Sequence, residues 1–314
     1  MSSNRADFVN STIRSSMRLL TVRHVTTYRY SKPVGLGEHR MMFRPRESHD
    51  LRLVKTKLDI VPQPADLRWL HDVFDNSVAI ATFEDTTLEL RFDSTVTLEH
   101  LETALPDYKL EVGAQTYPFH YPEDERPDLV SALLRHYPGD DIGHWAAGFL
   151  SPSASTGTMS LLQSMTRGIK EQFTYVRRNE KGVQSPGETL QRGQGSCRDF
   201  ALLMMEAVRS LGLAARFVSG YIFVPDGQRP ATVGGGATHA WMQVYLPGAG
   251  WVDFDPTNNI VGNRNLIRVA VAWDPQQALP LWGSFIGSTS SFRSMEVEVN
   301  VTEENSGASC PNPV

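Results

Sequence analysis

The chain has 314 residues, of which 40% are apolar and 21% charged, enough at this length for two units with buried cores. A net charge of −5 with scattered Lys and Arg excludes a basic field for nucleic acid or an anionic membrane. No stretch approaches the roughly 20 apolar residues that cross a bilayer. Residues 1–16 are polar, lack the apolar centre of a secretory signal and read as a flexible leader, so the expected location is cytoplasmic.

Met17 opens the first strand. Leu20, Val22, His24 and Thr26 fall on one face of LTVRHVTTYRY, and Leu19, Thr21, Arg23 and Val25 on the other. LRLVKTKLDIV, SVAIATFE and TLELRFDSTVTLEHL repeat the strand pattern, with turn formers between them at Lys32-Pro33, Pro62-Gln63-Pro64 and Asp75-Asn76. Residues 17–115 are therefore expected to form a β-rich domain. A proline-rich acidic connector, PFHYPEDERP, opens a second unit over 116–302. DLVSALLRHY and IGHWAAGFL read as short helices. SLLQSMTRGIKEQF carries Leu161, Leu162, Met165, Ile169 and Phe173 at helical spacing. FTYVRRNEKGVQSP reads as a strand and turn. After the segment GQGSCRDFALLMMEAVRSLG come successive strands, ending with IRVAVAWDPQQ, PLWGSFIG and MEVEVNV. Residues 303–314 read as a disordered tail, so Cys310 is not expected to pair with Cys197. Helices and antiparallel strands in separate runs predict an α+β fold.

Cys197 sits where chemistry is favoured. Ser196 followed by Asp199 is a capping-box pattern, and Phe200, Leu203, Met204, Ala207, Val208 and Leu211 make one apolar stripe ending at Gly212. Cys197 is thus the first helical residue, where unpaired N–H groups favour a thiolate and can stabilise an oxyanion. Gly193 and Gly195 would let a substrate backbone come close. A free cysteine is commonly just a buried small hydrophobe, so its partners decide the matter.

His239 is the last histidine after His144 and the only one in the segment carrying the thiol. It begins a strand that alternates His239, Trp241, Gln243 against Ala240, Met242, Val244. The chain turns at Leu246-Pro247-Gly248-Ala249-Gly250 and returns through Trp251–Asp255. In such a hairpin His239 and Asp255 come about opposite, within a residue or two. A carboxylate there could fix the imidazole tautomer that deprotonates Cys197. Asp253, on the same strand face, competes with Asp255 on spacing alone. The absence of C-x₂-C or H-x₃-H pairs argues against zinc.

The blocks G-Q-G-S-C-R-D-F-A and T-H-A-W-M-Q-V-Y-L-P-G-A-G-W-V-D-F-D-P-T-N-N resemble the motifs of the bacterial transglutaminase-like superfamily over about residues 120–262. Residues 17–110, with RHVTTYRYSKPVGLGEHRMMFRPRE, resemble the β-rich region that precedes that core in bacterial members. The resemblance implies a papain-like core, a cysteine-bearing helix packed on an antiparallel sheet. It makes Cys197 the nucleophile, His239 the general base and acid, and Asp255 the orienting carboxylate. Gln191, Gln194 and Trp241 stand near enough in sequence to be oxyanion donors or to line the substrate. No acidic calcium loop is visible, and no cofactor is implied. The expected activity is that of a cysteine peptidase or amidase acting on a protein or peptide through a thioester. Resolution of the thioester by an amine, as in a transglutaminase, is the alternative. A non-catalytic binding module is a second.

Overall fold

The computed structural model describes residues 16–102, 108–137, 141–152, 155–178, 182–225 and 232–304. Most of the expected leader and tail, Cys310 included, lies outside the described residues. The first unit is a sheet of β1 (Ser16–Met41), β2 (Leu51–Val61), β3 (Asp66–His71), β4 (Ser77–Thr82) and β5 (Thr87–Glu102) in the order β2-β5-β1-β4-β3. Burial in β5 alternates along its whole length, as a sheet with one wet face requires. On β1 the face carrying Leu20, Val22, His24 and Thr26 is buried. Asp75 takes a left-handed φ of 61°, which turns the chain between β3 and β4.

A small two-stranded sheet of β6 (Thr116–Tyr117) and β7 (Thr156–Gly157) brackets α1 (Arg126–Leu133) and α2 (Ile142–Ala147). Then follow α3 (Thr158–Gln172), β8 (Thr174–Tyr175), α4 (Pro186–Arg192), β9 (Gln194–Gly195) and α5 (Cys197–Ser210). The strand expected in FTYVRRNEKGVQSP shrinks to β8, which pairs in parallel with β9. Helix α4 was not expected, although its signals are present. The Ser185 side chain accepts from Glu188 N at 3.2 Å, Pro186 sits in the first turn, and Gly193 caps the end at φ 60°.

Beneath α5 lies a five-stranded antiparallel sheet. Its strands are β10 (Ala215–Ile222), β11 (His239–Leu246), β12 (Gly250–Asp255), β13 (Ile260–Val261) and β14 (Leu266–Ala272), in the order β13-β12-β11-β10-β14. Ala240, Met242 and Val244 of β11 pack against Ala201, Met204, Met205 and Val208 of α5 in the largest core. Trp241 lies on the other face with Val218, Leu266 and Val271. Both faces are covered, because Tyr221, Phe223, Ile267 and Val269 pack on Leu20, Val22, Val96 and Leu98 of the first sheet. That double burial explains why these strands read as nearly unbroken apolar runs.

The last strands correct one expectation. β15 (Leu281–Ile286) and β16 (Phe292–Glu303) do not extend the second unit; both pair with β1. β1 is 26 residues long, so one half can hold β5 and β16 while the other holds β4 and β15. Among the described residues no helix is long and apolar enough to cross a membrane.

Candidate active site

The carboxylate of Asp199 organises the start of α5. It is fully buried and accepts from Ser196 N and Ser196 Oγ, both at 2.8 Å, and from Gln184 N at 2.7 Å. Arg178 Nη1 bridges its two oxygens at 2.7 and 2.9 Å. The capping box thus reaches beyond the helix and ties Arg178 and Gln184 to it. Gly195 packs into this clamp: a Cβ there would stand 2.9 Å from Asp199 Cβ and 3.2 Å from the Phe200 ring. Gly193 serves as the left-handed cap of α4. Both glycines therefore have work inside the fold, apart from any room they leave for substrate. Cys197 emerges as the first residue of α5, only 8% exposed.

His239 opens β11, 1% exposed, and its Nε2 lies 2.8 Å from Asp255 Oδ2. Asp255 Oδ1 also accepts from Thr257 N at 2.9 Å and Asn258 N at 3.3 Å, and its Oδ2 from Asn258 Nδ2 at 2.9 Å. Burial alone would raise this carboxyl's pKa, but the imidazolium charge and these donors hold it below the ordinary value. Burial likewise opposes protonation of His239, yet the charge and hydrogen bond of Asp255, aided by the Cys197 thiol, leave its pKa raised. Both shifts favour the charged pair. With Nε2 committed to Asp255, the other ring nitrogen, Nδ1, is buried without a hydrogen-bond partner. Gly234 lies against it at φ 99°, and a Cβ there would come within 2.7 Å of Nδ1.

The hairpin register differs slightly from the expected one. Met242 pairs with Phe254, Gln243 with Asp253 and Leu246 with Gly250, so Asp255 is displaced by two residues from a place opposite His239. The pair meets diagonally, within the reach of an imidazole. Asp253 is engaged elsewhere: its Oδ1 accepts from Trp241 Nε1 at 2.6 Å and Gln243 Nε2 at 2.9 Å, and burial raises its pKa.

The three subsidiary residues fare differently from the central three. Trp241 is fully buried with its only donor given to Asp253, so it cannot be an oxyanion donor or a substrate wall. Its ring stacks beside His239 with centroids 5.9 Å apart and an interplanar angle of 26°, a supporting part. Gln191 is exposed on α4, and Gln194 is exposed on β9 with its carbonyl accepting from Gln184 Nε2 at 3.1 Å. Three residues the sequence reading passed over matter more. Gln184 braces Asp199. Asn258 joins Asp255 to Val233 through Val233 N at 2.8 Å and Val233 O at 3.0 Å, tying the glycine-rich loop to the carboxylate. Tyr175, whose pKa rises to about 12 through burial and the neighbouring Cys197 charge, stands beside the thiol. The D-P-T-N turn was the available signal for Asn258; Gln184 and Tyr175 had none. Among the described residues no group of three or more His, Cys, Asp or Glu side chains could hold a metal ion.

A thiol at a helix start, an imidazole on the adjoining strand and a buried carboxylate bonded to that imidazole stand on a papain-like α+β fold. Residues 20–99 match the family model for the bacterial transglutaminase-like N-terminal region, and residues 148–256 match that for the transglutaminase-like superfamily. The chain belongs to the transglutaminase-like superfamily, a family of thiol-dependent enzymes. It is 30% identical to the uncharacterized protein Rv2569c of Mycobacterium tuberculosis over 291 residues, covering 89% of this chain and 91% of that one. With ML0607 of Mycobacterium leprae, also uncharacterized, it shares 25% identity over 287 residues, covering 89% and 98%. A solved structure from Cytophaga hutchinsonii, described provisionally as a cysteine protease, has the same fold, with TM-score 0.70, 19% identity and 94% of each chain covered.

Proposed function

We propose that the chain is a thiol hydrolase of peptide or carboxamide bonds, with Cys197 as nucleophile, His239 as general base and acid, and Asp255 as the residue that orients His239. The observation that carries this reading is the imidazole itself. Its Nε2 is fixed by Asp255 at 2.8 Å, and its Nδ1 is buried, without a partner, and coupled electrostatically to the Cys197 thiol. In the first step the sulfur, its proton already passed to Nδ1, adds to the carbonyl carbon. The developing oxyanion is met by the Cys197 N–H, which as the first of the helix has no partner within it. The amine leaves with the proton from Nδ1, and a thioester remains. Water then gives a proton to Nδ1, attacks the thioester and releases the acid and the free thiol.

Water is the proposed second reactant. A protein or peptide is the proposed substrate, and the cytoplasm the proposed location. The test is incubation of the chain, and of Cys197→Ala, with fluorogenic peptide amides and separately with a dansyl-amine plus a glutamine-rich acceptor protein. Amide cleavage lost in the variant is expected. Robust dansyl incorporation would replace hydrolysis by transamidation. Iodoacetamide labelling of Cys197 no faster than a model thiol, with no turnover, would leave only a binding module.

A further inference from the structure

A second polar cavity, of about 380 Å³, opens between the first sheet and the five-stranded one. It lies along β11 from His239 at Gln243, four residues or roughly 13 Å away by strand rise, and is separate from the thiol. Three arginines converge on its walls: Arg46, Arg216 and Arg268. Two of them are answered. Arg268 lies 3.6 Å from Asp50 and 4.0 Å from Asp253 and donates to Ser48 Oγ at 3.2 Å. Arg46 donates to the Phe74 carbonyl and lies 3.6 Å from Asp75.

Arg216 is the exception. Its Nε donates to Gln243 Oε1 at 2.8 Å, and its guanidinium lies over the Trp251 ring, 4.1 Å from the centroid. Gln243 is itself held by Asp253, so the guanidinium plane is fixed from two sides. No carboxylate forms an ion pair with Arg216 among the described residues, and its nearest charged neighbours include two more cations. Its two terminal nitrogens have no acceptor among the described residues. Tyr108, on the same wall, has a hydroxyl with no hydrogen-bond partner among the described residues, and burial together with the charges of Asp253 and Asp50 keeps that hydroxyl protonated. The cavity therefore presents a rigid fork of donors outside any ion pair, with Asp253 the one acidic charge acting on it, and one further O–H.

We propose that this cavity binds a small carboxylate ligand, held by a bidentate contact to the terminal nitrogens of Arg216 and a hydrogen bond from Tyr108. A planar carboxylate matches the fixed fork and supplies the charge that Arg216 lacks. The size of the cavity suits a small organic acid or the acidic end of a longer ligand. This assignment stands independently of the thiol chemistry.

The test is calorimetric titration of the full chain with succinate and with inorganic phosphate, at one ionic strength. Succinate is expected to bind at about millimolar concentration or tighter and to raise Tm. Arg216→Gln should weaken it about tenfold or more. Tyr108→Phe should weaken it a few-fold with Tm unchanged, and carries the test if Arg216→Gln does not fold. Arg216→Lys, which keeps charge but loses the fork, should resemble Arg216→Gln. Cys197→Ala should bind succinate as the unaltered chain does. Absence of binding, phosphate bound as tightly as succinate, indifference to Tyr108→Phe in a folded protein, or loss of binding in Cys197→Ala would each overturn the proposal.

Discussion

The two sheets handle polar groups in opposite ways. Those on the wet face of the first sheet lie in exposed pairs such as Arg52–Glu99, 3.3 Å apart with side chains 75% and 30% exposed. Those around the five-stranded sheet are dry and multiply bonded: Asp199, Asp255, Asp253 and the Glu206–Arg209 pair each engage several partners. The difference teaches where geometry is enforced. An exposed pair can break and be rehydrated at little cost, whereas a buried charge must keep every partner. Rigidity is therefore concentrated where a sulfur, a ring and a carboxylate need fixed positions.

The contrast is sharpest between the neighbouring carboxylates of β12. Asp255→Asn should lower the rate of amide cleavage by up to about 10⁴-fold, through loss of the imidazole's tautomer and charge support. Asp253→Asn, which touches Trp241, Gln243 and Arg268 but not His239, should cost far less; equal losses would erase the distinction. Stability against pH, from urea melts, adds a second reading of the same pair. The raised His239 pKa contributes fully below the ordinary value of 6.5 and is lost as pH rises through the folded value. The lowered Asp255 pKa contributes fully above 3.8 and is lost as pH falls through its folded value. The stability gap between the unaltered chain and Asp255→Asn should therefore be widest between pH 3.8 and 6.5.

Next in size is Glu206→Ala. Glu206 holds Arg209 Nη1 at 2.8 Å and the backbone N–H groups of His136 and Tyr137 at 3.3 and 3.2 Å, and the Glu206 and Arg209 side chains are fully buried. Removing it strands the Arg209 charge and two amides, and should cost roughly 3–5 kcal/mol in urea denaturation. Smallest is Arg52→Ala on the wet face, expected to shift stability by roughly 0–1 kcal/mol. If the two substitutions cost the same, the comparison between the sheets fails.

Much of this was legible locally. Period-two alternation marked β1 and β5, and the S-C-R-D start with its apolar stripe marked α5 and put Cys197 at its first position. The hairpin spacing brought His239 and Asp255 near one another but missed their offset by two residues, because the bend is centred on Gly248 rather than Pro247. Spacing could not separate Asp255 from Asp253; that follows from which donors each carboxylate meets in space. The pairing of β15 and β16 with β1 was invisible, since strand partners far apart in sequence leave no local mark. The same holds for Gln184 reaching Asp199, and for Arg216 left without a counter-charge.

The long strand β1 sets an order of events. Leu20 pairs with Glu303 and Tyr30 with Phe292, so one neighbour of β1 is among the last parts of the described chain to leave the ribosome. Until residues 292–303 emerge, that side of β1 is an open ladder edge, while the segment carrying the thiol has already been made. That edge of the first sheet is then covered by a strand made after the whole five-stranded sheet, as a belt is by its buckle.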